Sequence, residues 1–241
     1  MPTAVAKAVR RRIERHGERF WRYSDFADLP ITAVTKALSR LEKSGQLQRL
    51  SKGVYYRSRP TAFGVSRPNK TLLQPMAAEK TPVFPAGLAA AGVLGLTTQN
   101  SSRQEVSTSA LSLPRKLLGE DTIVYRSRPA AWRRLKPGDA AMLETLRKRA
   151  STSEFSREET LRRILEQLSA TGRFEALMEV ALTEPPRVRA MLGAMGQQLK
   201  KPKKYLQRLR ASLNPASRYD FGLLAGLQHA EFWNARVRSP R

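Results

Sequence analysis

An α+β, mostly helical fold is predicted by three features of the sequence. Apolar residues recur at helical spacing over residues 5–13, 34–41 and most of 137–213. Strand-like stretches are short and confined to 18–21, 47–57, 105–113 and 122–126, enough for small sheets only. Between the first 59 residues and the larger remainder, Pro60, Pro68, Pro75, Pro82 and Pro85 recur among Ser, Thr, Asn and Lys. The expected organisation is therefore a small module over 1–59, a Pro-rich linker or arm over 60–85, and a domain over 86–241. That domain is expected to open with a short sheet (86–136) and continue as a helical array (137–241).

Each element of the first module has its own signal. Val5, Val9 and Ile13, spaced by four, mark the buried side of a helix whose other positions carry Lys7, Arg10, Arg11, Arg12 and Arg15, with Gly17 as its stop. Glu18 to Trp21 reads as one extended strand. Ser24 is the expected N-cap of a brief helix that ends at Leu29-Pro30, where proline forces a break. Thr32 is the expected cap of the next helix, in which Val34, Leu38 and Leu41 form a buried stripe, so that Thr35, Lys36, Ser39, Arg40 and Lys43 point away from the core. Gly45 closes that helix. Leu47 to Arg57 alternates on both sides of Ser51-Lys52-Gly53, as a two-stranded hairpin does.

Helix, strand, short helix, helix and hairpin in that order make a winged helix-turn-helix, whose last helix enters a DNA major groove. Arg and Lys donate to guanine O6 and N7 or to phosphates, and Thr and Ser hydroxyls meet either. The expected DNA-binding residues are Thr32, Thr35, Lys36, Ser39, Arg40 and Lys43, with Arg49, Lys52 and Arg57 of the wing on the phosphate backbone or minor groove.

Composition points the same way. Of 241 residues, 44 are Lys or Arg and 20 are Asp or Glu, a formal charge of +24 that favours a polyanionic partner. A membrane partner is not expected, because no apolar run approaches the roughly 20 residues needed to span a bilayer and no basic amphipathic helix carries large apolar residues opposite. The absence of cysteine excludes disulfides and thiol chemistry, and with no signal-peptide segment at the start a cytoplasmic location is expected.

In the larger domain, Ala86 to Leu96 reads as a small-residue helix, and Glu105–Leu113 and Thr122–Arg126 as strands. The array that follows is marked by Ala140, Leu143 and Leu146; by Leu161, Ile164, Leu165 and Leu168; and by Phe174, Leu177, Met178 and Ala181. Val188, Met191, Leu192, Met195 and Leu199 follow Pro185-Pro186, and Tyr205, Leu206, Leu209 and Leu213 follow Pro202. The methionines are expected to fill core gaps.

Catalytic signatures are absent, and no enzyme activity, metal or cofactor is expected. His16 and His229 stand apart, without metal-ligand spacing. Glu175 and Glu179 share a helix face, as would Glu154 and Glu158 if that helix starts early; two carboxylates at spacing four read as a solvated face, with a metal-dependent nuclease as the weaker alternative. Gly87, Gly92 and Gly95 lie among alanines and suit close packing. Lys200-Lys201-Pro202-Lys203-Lys204 reads as a solvated or nucleic-acid-contacting loop.

The arrangement resembles the AbiEi-type antitoxins of bacterial type IV toxin-antitoxin systems. The residues that carry the resemblance are Phe20-Trp21-Arg22-Tyr23-Ser24-Asp25-Phe26, Ala37 to Gly45, Leu50 to Tyr56, and the central Ala89-Ala90-Ala91-Gly92-Val93-Leu94-Gly95-Leu96-Thr97. The resemblance implies repression of the protein's own operon through inverted-repeat DNA, and a C-terminal domain that counters a co-encoded nucleotidyltransferase-like toxin, with or without stable contact. It implies no individual antitoxin residues. A second basic patch, Arg126, Arg128, Arg133, Arg134 and Lys136, has no carboxylate between Asp121 and Asp139 to neutralise it locally. It extends the DNA footprint, faces an acidic toxin or RNA, or pairs with distant glutamates. A stand-alone winged-helix regulator and a basic RNA-binding protein remain alternatives at this level.

Overall fold

The computed structural model describes residues 4–61, 64–66, 82–110, 121–170 and 172–236. It is α+β and mostly helical, and its described residues divide into two compact units, 4–66 and 82–236.

The first unit begins with α1 (Ala4–Arg15), which buries Val9 and Ile13. Gly17 takes a left-handed φ of 64° just beyond it, a backbone turn that glycine makes without strain. Strand β1 (Arg19–Arg22) leads into a single 3-10 turn, Tyr23–Phe26. Ser24 is not the cap here: the Asp25 carboxylate accepts from the Arg22 N–H at 2.7 Å. Helix α2 (Ile31–Lys43) follows Pro30, and no side chain caps it. The Pro30 carbonyl accepts from Ala33 and Val34 at 3.0 Å each, so the expected cap, Thr32, lies inside the first turn and is exposed.

Val34, Ala37, Leu38 and Leu41 are the buried stripe of α2. They pack with Val9, Ile13, Trp21, Phe26, Leu47 and Tyr55 in one core, where each fully buried large apolar side chain contributes about 1.5–3 kcal/mol. Gly45, at φ 74°, ends the helix, with Gln46 N–H returning to the Leu41 carbonyl at 3.0 Å. The hairpin strands β2 (Gln48–Ser51) and β3 (Val54–Arg57) flank Gly53 at φ 81°, where a Cβ would press on the Tyr23 ring. The sheet order is β1-β3-β2, antiparallel throughout, with Trp21 opposite Tyr55 and Arg49 opposite Tyr55 on the other side. A two-residue ladder joins β4 (Pro60–Thr61) to β5 (Gly64–Val65).

The second unit starts inside the stretch read as linker. Val83–Pro85 is strand β6, antiparallel to β7 (Glu105–Thr108), and β8 (Ile123–Tyr125) runs parallel to β7 on its other edge. Residues 111–113 of the expected strand lie outside the described residues. Small residues let α3 (Gly87–Val93) approach α4 (Pro137–Arg147), every residue of which from Asp139 to Leu146 is buried.

Around α4 lie α5 (Arg157–Ser169), α6 (Arg173–Val180), α7 (Pro186–Gln198) and α8 (Lys203–Ala211). Met142, Met178, Met191 and Met195 are all core residues. Helix α5 is capped by Ser156, whose hydroxyl accepts from Glu159 N–H at 3.2 Å. The Glu159 carboxylate takes hydrogen bonds from Arg162 and Arg163 that hold its pKa down to about 2. Beyond α8 the chain returns so that Trp233, fully buried, lies over Gly193 of α7 and donates to Gln197 Oε1 at 2.8 Å. None of the described helices is long and apolar enough to cross a membrane.

A methyl group on Gly193 would enter the Trp233 ring. Gly193→Ala is expected to cost about 1–3 kcal/mol through overpacking, despite alanine's better helix propensity, read as a lower urea midpoint with unchanged m.

Candidate nucleic-acid interface

Helix α2 sorts its side chains by face. Burial of Val34, Leu38 and Leu41 leaves Thr32, Lys36, Arg40 and Lys43 exposed and Thr35 and Ser39 half-buried. Thr32, Lys36 and Arg40 are spaced by four and form one stripe, about 6 Å per step along the helix. Among the described residues no carboxylate pairs with Lys36, Arg40 or Lys43, so three cations stand uncompensated on one helix surface. The Thr35 hydroxyl donates to the Ile31 carbonyl at 2.8 Å, which commits its proton to the helix and leaves it an acceptor.

In the wing, Arg49 and Lys52 are exposed and lack carboxylate partners among the described residues. Arg57 differs from expectation. It sits at the end of β3 remote from the Gly53 turn, and its guanidinium donates to the Ile13 carbonyl, satisfying the last turn of α1. It is a structural clamp and not a wing-tip contact.

Sequence spacing gave no sign of the groups that orient α2. Arg12 on α1 reaches Asp28 through two bonds, 2.6 and 2.7 Å, and also donates to the Asp25 carbonyl at 2.8 Å. This bidentate pair draws the Asp28 carboxyl below its usual range and fixes α1 against the segment that enters α2. Arg19 lies over the Trp21 ring at 4.3 Å and pairs with Asp25 at 3.2 Å. Burial, with the neighbouring Tyr23 hydroxyl, pushes Tyr55 up to about 12, so the floor beneath the wing stays neutral at any ordinary pH.

The second patch loses one member. Arg128 is folded against α4, where its Nη2 donates to Glu144 Oε2 at 2.9 Å and its Nε to the other oxygen. Glu144 is 1% exposed. Alongside, Arg147 Nε donates to Glu184 Oε2 at 2.7 Å and Trp132 Nε1 to Glu184 Oε1 at 2.7 Å. Trp132 thus lies between two buried ion pairs, with the Arg128 and Arg147 guanidinium groups 5.8 and 5.3 Å from its ring. Arg126, Arg133, Arg134 and Lys136 remain exposed, with no carboxylate partner among the described residues.

Glu175 pairs with Lys201 at 3.4 Å while Glu179 is exposed. No group of three His, Cys, Asp or Glu among the described residues is placed to hold a metal ion.

Two pairs of substitutions test these assignments. If α2 reads DNA, Arg40→Ala should leave thermal stability intact and weaken binding to its preferred duplex by about 1–3 kcal/mol, whereas Leu38→Ala should destabilise by about 2–5 kcal/mol; unchanged affinity for Arg40→Ala overturns that assignment. Arg128→Met leaves Glu144 buried and unpaired and should cost about 3–5 kcal/mol of stability, while Arg133→Ala stays within about 0.5 kcal/mol, both by chemical denaturation.

No family model matches the chain, and no curated protein matches it. Among solved structures it is similar to that of the RV2827C protein from Mycobacterium tuberculosis, at 17% identity, with 89% of this chain and 82% of that one covered and a TM-score of 0.43.

Proposed function

We propose that the chain is the antitoxin of a bacterial type IV toxin-antitoxin pair, working in the cytoplasm. In this reading it represses its own operon by binding inverted-repeat DNA and counters a co-encoded nucleotidyltransferase-like toxin, without catalysis of its own. The observation that carries the DNA arm is the face of α2 with Lys36, Arg40 and Lys43 uncompensated, joined to a hairpin that carries Arg49 and Lys52. The antitoxin arm is supported by the resemblance of residues 20–26, 37–45, 50–56 and 89–97 to the AbiEi-type antitoxins.

The mechanism follows from charge and shape. Helix α2 enters the major groove, with Arg40 and Lys36 donating to guanine edges or flanking phosphates and the Thr35 oxygen accepting from an exocyclic amine. Arg49 and Lys52 neutralise phosphate beside the groove, which strengthens binding without naming bases. Two copies on half-sites about 34–36 Å apart read an inverted repeat. Arg126, Arg133, Arg134 and Lys136 are available to the same polyanion or to an acidic toxin surface.

The deciding experiment expresses the neighbouring reading frame in cells, with and without this protein supplied from a separate promoter. Growth arrest that this protein relieves is the expected result. A harmless neighbour, or arrest that is not relieved, overturns the antitoxin arm and leaves a stand-alone winged-helix regulator, whose operator is then sought by footprinting upstream DNA.

A further inference from the structure

From residue 185 to residue 219 the sequence contains nine Lys and Arg and no Asp or Glu. Five of these cations are engaged in the second unit. Arg187 and Arg189 donate to the Arg147 and Ser212 carbonyls at 2.9 and 2.8 Å, Lys201 pairs with Glu175, and Arg218 donates to the Pro215 carbonyl at 3.0 Å. Arg210 is held by the Phe232 carbonyl at 2.6 Å and Asn234 Oδ1 at 3.0 Å.

The other four, Lys200, Lys203, Lys204 and Arg208, are exposed and have no carboxylate partner among the described residues. Lys204 and Arg208, spaced by four, form one stripe of α8; Lys203 and Arg210, spaced by seven, form the next. Lys200 takes a left-handed φ of 53° just after α7.

At the edge of this exposed face, on the side of the Lys203 and Arg210 stripe, stands Phe232, 56% exposed. The Arg210 guanidinium lies 4.8 Å from its ring centroid and Trp233 meets it edge-on at 6.0 Å, so the ring is braced by its neighbours. A braced, solvent-facing aromatic at the edge of a helix face that carries uncompensated cations farther round is a pairing that suits unstacked bases and their phosphates. Duplex DNA hides its base faces, so the ring favours an unstacked strand.

We propose that α8, Lys200 and Phe232 form a second nucleic-acid surface, distinct from α2 and the wing, that takes single-stranded nucleic acid: phosphates on Lys200, Lys203, Lys204 and Arg208, and a base stacked on Phe232. The surface is independent of operator reading.

Fluorescence anisotropy with the full chain tests it, using labelled ten-nucleotide RNA, DNA of the same sequence, and a ten-unit abasic strand of equal charge. The wild type should bind the base-bearing strands about tenfold more tightly than the abasic one. Phe232→Ala should abolish that gap without changing abasic affinity or the melting temperature, and Phe232→Trp should retain it. Lys204→Ala with Arg208→Ala should weaken all three strands and reduce the salt slope by about 0.7 per lost phosphate contact. Arg40→Ala should leave the gap untouched.

A gap with either RNA or DNA supports the proposal. Equal binding of abasic and base-bearing strands, or a gap that survives Phe232→Ala, overturns it. Displacement of the RNA by polyglutamate as efficiently as by unlabelled RNA of equal charge also overturns it, in favour of an acidic protein partner.

Discussion

Scarcity of carboxylates is the constraint on which the rest of this structure depends. With 20 acids against 44 bases, each ion pair that fixes two elements together removes a neutralising group from somewhere else. Asp28 goes to Arg12 and sets α1 against the approach to α2; Glu144 and Glu184 go to Arg128 and Arg147 and enclose Trp132 beside α4. Asp139 goes to Arg173, Asp220 to Arg149 and Glu175 to Lys201. The acids therefore serve largely at joints between elements, and the cations left over collect on surfaces: the outer face of α2, the wing, the loop before α4, and α8.

That division explains why the buried pairs matter more than the exposed ones. Arg162 and Glu166 on α5 are both well exposed, and solvent screens what they gain. Glu144 and Glu184 have left water almost entirely, so each is tolerable only while its arginine stays in place. The arginines are suited to the task because the planar fork of Arg128 meets both oxygens of Glu144, while Arg147 and the Trp132 N–H take one oxygen of Glu184 each.

Local order was legible in the sequence wherever one element suffices to state it. The spacing of Val5, Val9 and Ile13, the stripe Val34-Leu38-Leu41, the stop at Gly45 and the turn at Gly53 each translate directly into backbone geometry. The caps were less legible: Ser24 and Thr32 have the right chemistry, but each lies inside the first turn of its element, with Arg22 and Pro30 at the cap positions. Strand β6 was hidden because Pro82 precedes it and Pro85 is its last residue. Within the candidate site, the exposure of Lys36, Arg40 and Lys43 follows from helical periodicity alone. The removal of Arg57 and Arg128 does not, because their partners, Ile13 and Glu144, lie 44 and 16 residues away and no local pattern records such pairs.

The seating of Trp233 over Gly193 carries a consequence in time. The second unit's core is incomplete until residue 233 has been made, whereas the last described residue of the first unit's core is Tyr55. At ordinary translation speeds of about 5–20 residues per second, the intervening stretch takes roughly 9 to 36 s. During that interval the N-terminal module is free to fold while α7 still exposes the notch that the indole will fill. A nascent chain thus passes through a stage in which only one of its two units exists, and that unit is the one bearing α2 and the wing.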